Sequence, residues 1–247
     1  MDAFARVQGS VPLLYSHRGA NRHATENTLR AFELGLDEGA DGVELDVRMC
    51  ASGEIVVFHD ATLSRLAGDS IEIARTTWNN LQSRELRFGE RMCLLDEALD
   101  LVLGRGKVVN VEVKGDVPDK SVSAKAVARA LLRRTAKDQE RVLVSTFHPI
   151  VFLALRRAAP GLALGFLFQD DGVTHRIVRT ALRPHAVHPS NALADAPRIS
   201  RWRDHGRCVN VWTVDDPKRA VELSAANVDG IITNDIPTLR RALGGTD

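Results

Sequence analysis

Short runs of β-branched and apolar residues alternate along this chain with longer stretches whose apolar positions recur at three- and four-residue spacing. The runs VPLLYSH, DGVELDV, EIVVFH, KVVNVEVK, RVLVSTF, LALGFLF, PHAVHP, RCVNVWTV and DGIITN predict strands. Between most of them lie helical patterns: NTLRAFELGLDEGA, LLDEALDLVLGR, SAKAVARALLRR, PIVFLALRRAAP, PKRAVELSAA and PTLRRALG. In the first of these Leu29, Phe32 and Leu36 share a face, with Asn27 expected as N-cap and Gly39 as C-cap. Strand and helix alternating this often predict an α/β fold with a parallel sheet covered by helices. A single closed (β/α)8 barrel fits the count best. An open doubly wound sheet is the alternative, but the phosphate-cradling glycine fingerprints that favour it are missing from the sequence. The least regular part is residues 60–93, a long polar connection after His59 that predicts a lid or rim over a site.

Composition narrows the class. With 247 residues and 44% hydrophobic content the chain can bury a large core, and barrels of this length commonly form one unit, so residues 1–247 are expected to be a single domain. A formal net charge of +1 and a pI near 7.8 leave no concentrated basic surface for nucleic acid. The N-terminal residues lack a basic stretch followed by an apolar one, and no apolar segment is long enough to span a bilayer. A soluble cytoplasmic protein without a stable membrane anchor is expected. The three cysteines, Cys50, Cys93 and Cys208, are widely spaced and form no C-x-x-C pair, which predicts reduced packing residues rather than a disulfide or zinc site.

The polar residues on otherwise apolar strands carry the chemistry. In GVELDV a period of two puts Glu44 and Asp46 on one face and Val43, Leu45 and Val47 on the other. The same parity in VVNVEVK turns Asn110, Glu112 and Lys114 inward. His17 and Arg18 end the first strand, and His59 ends EIVVFH on the face of Ile55 and Val57. Barrel active sites gather at the C-terminal strand ends, where these residues fall. Three converging carboxylates repel unless a cation sits between them, and an all-oxygen donor set suits Mg2+ or Ca2+ rather than zinc. Two histidines supply an acid and a base near neutral pH. Arg18 offers a planar fork and Lys114 a point charge, both suited to phosphate. Phosphoryl chemistry follows from that set.

The motifs HRG, ENT (Glu26, Asn27, Thr28), VELDV, VVFHD, VEVK, VWTVD and VDGIITNDIP, in this order from residue 13 to residue 237, resemble the glycerophosphodiester phosphodiesterase family, in its bacterial cytoplasmic form. The resemblance implies a TIM barrel that hydrolyses glycerophosphodiesters to sn-glycerol 3-phosphate and an alcohol with one divalent cation. It implies Glu44, Asp46 and Glu112 as metal ligands, with His17 and His59 as the acid and base pair. It further implies Arg18 and Lys114 on the phosphate, Glu26 organising the first loop, and Trp212 walling the glycerol pocket. The resemblance implies attack by the glycerol hydroxyl through a cyclic intermediate, with the two histidines exchanging roles. Ser52 stands where an Asp is usual, ahead of the turn glycine Gly53, and is expected to serve a tight turn. CLL replaces the usual P-T-L, and Asn234 with an additional residue precedes Pro237; both departures are expected to bear on substrate detail only.

Taken singly, these residues have ordinary structural explanations. Glu44 and Asp46 read as solvated strand-end acids, His17 and His59 as core or loop histidines, Lys114 as an ion-pair partner of Glu112, and Trp212 as packing. Their joint occurrence at strand ends is what favours catalysis. His23, His148, His175, His185, His188 and His205 receive no role; His185 and His188 sit close together with no carboxylate or cysteine at metal-site spacing. The pairs Arg133–Arg134, Arg156–Arg157 and Arg240–Arg241 fall late in predicted helices, where the helix dipole accounts for them without a partner. Two rivals accompany the main reading: a lysophospholipase D-like enzyme acting on a bulkier lipid, and an inactive barrel serving as a binding module. The filled set of expected positions argues against the second.

Overall fold

All nine apolar runs are strands in a computed structural model, which describes residues 2–7, 9–170, 172 and 180–244; His175 lies outside the described residues. The strands are β1 Leu13–His17, β2 Gly42–Met49, β3 Ile55–Val57, β4 Val108–Val113, β5 Val142–Thr146, β6 Ala163–Phe168, β7 Ala186–Pro189, β8 Cys208–Val211 and β9 Gly230–Thr233. Eight of them form a closed parallel barrel in the order β1-β9-β8-β7-β6-β5-β4-β2, with β2 returning to β1. The ninth, β3, is a hairpin partner: it runs antiparallel to β2, pairing Val47 with Val57 and Met49 with Ile55. EIVVFH is therefore no barrel stave. No helix separates it from β2, and a turn through Ser52 and Gly53 (φ 98°) brings it back along its neighbour.

The outer layer comprises α1 Leu29–Asp37, α2 Leu95–Gly104, α3 Lys120–Leu132, α4 Pro149–Ala158, α5 Ala196–Asp204, α6 Pro217–Ala225 and α7 Ile236–Ala242, with one-turn helices elsewhere. Thr28, not Asn27, caps α1, its hydroxyl accepting from Ala31 N at 3.2 Å. Glu38 is the C-cap of α1, with Gly39 beyond it at φ 93°. Helix α5 escapes the apolar pattern because only Ile199 and Trp202 of its side chains are buried. Most of the late-helix arginines do have partners. Arg133 and Arg134 pair with Asp96, Arg156 lies over Phe152, and Arg240 pairs with Asp41.

Strand parity sorts the core into two parts. Val43, Leu45, Val47, Val109, Val111 and Val113 face the helices in one large apolar cluster. Inside the barrel, Tyr15, Val108, Leu143, Ala186, Cys208 and Ile232 form an apolar floor, sealed from below by Phe4. Residues 60–93 are more than a polar rim. Leu63, Leu66, Ile73, Leu81, Leu86 and Met92 build a small core of their own against Val56 and Phe58 of the hairpin.

Candidate active site

His17 and Arg18 leave β1 beside β2, where His17 is in register with Glu44 and the Arg18 N–H donates to Glu44 O at 2.8 Å. Arg18 and Asn27 both adopt left-handed backbone (φ 58° and 60°), and the Asn27 N–H donates to Arg18 O at 2.9 Å. The loop between them thus folds back over the strand end. Asn27 is freed from capping duty, and its amide binds Asp46, donating from Nδ2 to Oδ2 at 2.9 Å and accepting from Asp46 N at 3.2 Å.

Glu44 and Asp46 from β2 and Glu112 from β4 converge as the pattern of two predicts, all three buried, with ligand oxygens within 4.8 Å of one another. Lys114 Nζ bridges two of them, at 2.8 Å from Glu112 Oε1 and 3.2 Å from Asp46 Oδ1. Arg18 Nε lies 3.1 Å from Asp46 Oδ2. Burial would raise the Asp46 carboxyl, but Lys114 and then Arg18 outweigh it and hold the group down to about 2. Glu44 and Glu112 move the other way. Burial, then Asp46 and Glu112, push Glu44 well above the usual carboxylate range; burial, then Asp46, raise Glu112. Glu44 Oε2 is buried without a hydrogen-bond partner, and among the described residues its one ion-pair contact is His17 Nε2 at 3.9 Å. An unpaired buried acid inside an all-oxygen cluster fits a hard divalent cation.

Each histidine has an orienting partner on its other ring nitrogen. His17 Nδ1 is 2.8 Å from Asn234 Oδ1, and Asn234 is held in turn by Asp215, which accepts from Asn234 N and Nδ2 at 2.8 Å each. The Asn234 departure therefore touches His17, contrary to the expectation from sequence, because β9 ends beside β1. Burial, then Arg18, lower the His17 pKa. His59 lies just past β3, and its Nδ1 is 2.7 Å from Asp60 Oδ1. Its backbone oxygen accepts from Arg48 Nε at 2.9 Å, and Arg48 Nη2 donates to both Asp116 carboxylate oxygens at 2.9 and 2.8 Å.

Glu26 sits in a chain of charges rather than alone. It accepts from Arg18 at 2.9 Å and from both terminal nitrogens of Arg65 at 2.7 Å, and Arg65 Nε donates to Asp60 Oδ2 at 2.7 Å. Arg65 thereby links Asp60, which holds His59, to Glu26, which holds Arg18. Arg48 shares the parity of Glu44 and Asp46 and Asp60 follows His59, so both were detectable in the sequence. Arg65 and the contacts of Asp215 and Asn234 were not: Asp215 closes VWTVD and Asn234 lies in VDGIITNDIP, but nothing local shows that the two meet each other and His17.

His59, Glu112, Lys114 and Phe147 line a cavity of 570 Å3 at the barrel mouth. Trp212 packs edge-on against Phe147 with ring centroids 5.3 Å apart, and its indole N–H donates to His188 O at 2.8 Å. The sequence-predicted residues thus meet at one mouth, with Trp212 one aromatic ring back from the cavity lining. Ser52 serves its turn, its hydroxyl accepting from Trp78 N at 2.9 Å. Leu94 of CLL offers no side-chain cap to α2; its N–H donates to Glu97 Oε2 at 2.7 Å instead.

Known proteins resemble the chain over nearly its whole length. A glycerophosphodiester phosphodiesterase of Caldanaerobacter subterraneus subsp. tengcongensis is 28% identical over 236 residues, covering 92% of this chain and 96% of the relative. The crystal structure of a glycerophosphodiester phosphodiesterase from Agrobacterium tumefaciens superposes with a TM-score of 0.80 at 26% identity, covering 93% of this chain and 99% of that one. An Oleispira antarctica phosphodiesterase, in complex with the product sn-glycerol-3-phosphate, shares the fold with a TM-score of 0.87 at 23% identity, covering 94% of this chain and 97% of that one. The model of the glycerophosphoryl diester phosphodiesterase family matches residues 17–238, nearly the whole barrel, and the chain belongs to that family of phosphodiester hydrolases.

Proposed function

We propose that this chain hydrolyses glycerophosphodiesters to sn-glycerol 3-phosphate and an alcohol, with one divalent cation, Mg2+ or Ca2+, held by Glu44, Asp46 and Glu112. One observation carries the proposal: three buried carboxylates from adjacent strands share a barrel mouth with two imidazoles, and the Glu44 oxygen facing His17 is unpartnered. A bound cation supplies charge that offsets Glu44 and polarises a phosphoryl oxygen. Arg18 and Lys114 orient the phosphate. One imidazole takes the proton of the attacking glycerol hydroxyl as the new P–O bond forms, and the other gives a proton to the departing alcohol as its P–O bond breaks; with the two roles exchanged, water then opens the cyclic phosphate to sn-glycerol 3-phosphate. Asn234 and Asp60 hold the rings in place through the opposite nitrogens. Glu26 fixes Arg18, and Trp212 backs Phe147 at the wall of the glycerol pocket.

Residues 1–247 act in this reading as one catalytic domain, and the three free buried cysteines suit a reducing cytoplasm. Among the described residues no helix is long and apolar enough to cross a membrane. The test is release of sn-glycerol 3-phosphate from a panel of glycerophosphodiesters, with chelator and with Mg2+ or Ca2+ restored. Metal-restored release is expected. Release from a lysophospholipid alone would move the reading to the bulkier lipid, and no release from any substrate would overturn it.

A further inference from the structure

At the opposite end of the barrel a second set of donor atoms converges. His185 immediately precedes β7 and Cys208 opens β8; the pairing of these strands, with Cys208 N donating to His185 O at 3.1 Å, fixes the two side by side. Asp2 arrives from the far end of the sequence in a segment tied down by Phe4, which is buried in the barrel floor and packs edge-on against the His185 ring at 6.1 Å. Farther along, Arg6 N donates to Asp229 Oδ1 at 2.9 Å. Asp2 Oδ2 lies 3.0 Å from His185 Nε2 and 3.7 Å from Cys208 Sγ, and Cys208 Sγ lies 3.9 Å from His185 Nε2.

We propose that Asp2, His185 and Cys208 form a zinc site on the floor of the barrel, remote from the catalytic mouth. Four-coordinate zinc with bonds of about 2.0–2.3 Å sets its ligand atoms about 3.3–3.6 Å apart, so these three atoms reach that triangle by moving a few tenths of an ångström. A sulfur, an imidazole nitrogen and one carboxylate oxygen select zinc over the hard ions suited to the mouth. A catalytic relay would use both ring nitrogens of the histidine, whereas here the acid and the thiol approach the same one, Nε2. Arg203, whose charge reaches Cys208, is already paired with the buried Asp229. On binding, the Cys208 S–H bond breaks, its proton passes to solvent, and a zinc–sulfur bond forms; neutral His185 donates its Nε2 lone pair, with its ring proton on Nδ1. The fourth position opens to solvent between Asp2 and His185, whose side chains are 35% and 37% exposed. The ion would pin residues 2–7 to the barrel floor.

The experiment is titration of chelator-stripped full-length protein with Co2+ in excess Mg2+, followed by ultraviolet and visible absorption. A thiolate-to-cobalt charge-transfer band saturating at one ion per chain, and displaced by Zn2+, is expected. Cys208→Ser should lose the band, and Asp2→Asn, at an exposed position that does not threaten folding, should weaken cobalt affinity by roughly tenfold or more. Glu44→Ala should retain the band. No band in the wild type, an undiminished band in Cys208→Ser, or wild-type affinity in Asp2→Asn would overturn the proposal.

Discussion

The same carboxylate chemistry meets three different fates within one cluster. Asp46 is surrounded by Lys114, Arg18 and Asn27, Glu112 shares Lys114, and Glu44 is left with an unpartnered oxygen. That inequality makes Glu44 the residue whose removal should cost function without costing fold. Glu44→Ala and Glu112→Ala are expected to abolish metal-dependent turnover, and Glu44→Ala should unfold in denaturant, with chelator present, at a midpoint no lower than the wild type. Near-normal turnover by either variant would remove that residue from the ligand set. His17→Ala and His59→Ala should each lose roughly 10²- to 10⁴-fold in rate, the usual worth of a positioned acid or base. A variant that keeps most of its activity is not a member of the pair.

Between elements, two contacts decide whether these residues meet. Helix α1 lies so close to β1 that a Cβ on Gly35 would stand 2.9 Å from Ser16 Cβ and closer still to its hydroxyl. Gly35→Ala is therefore expected to destabilise the fold by about 1–3 kcal/mol, measured by urea unfolding, as overpacking does in tight cores. No loss of stability would mean that the helix shifts freely. Arg65 is the other contact, joining Asp60 beside His59 to Glu26 of the first loop. Arg65→Ala should lower kcat/KM while leaving the unfolding midpoint close to the wild type, because the small core beneath it is intact. Unchanged kinetics would reduce this link to a half-exposed surface ion pair.

Across the whole barrel the interior passes from an apolar floor through buried Asn110, Ser145, His188 and Asn210 to the charged mouth. His188 is fully buried, with Nε2 facing Asn210 Nδ2 at 3.3 Å, and burial alone lowers its pKa to about 3. The folded state therefore resists a proton that the unfolded chain accepts near pH 6.5. Stability from this group is complete above about pH 6.5 and falls as pH drops toward 3, on the order of 1.4 kcal/mol per unit. His188→Gln should flatten that part of the stability profile in urea unfolding measured across pH. An unchanged slope would show that His188 is not its source.

Strand parity alone turned Glu44, Asp46, Asn110, Glu112 and Lys114 inward, because a period of two needs no knowledge of neighbours. The motif order, read together with that parity, carried the family and the two histidines. Whatever depends on which distant segments touch was decided by the tertiary structure. EIVVFH left the barrel because its partner is β2 in a hairpin, and Asn234 reached His17 because β9 closes the ring against β1. His185 had neither a carboxylate nor a cysteine at any useful spacing in sequence. The fold set Asp2 and Cys208 beside it, since backbone pairing and burial of Phe4 join segments that the chain keeps far apart.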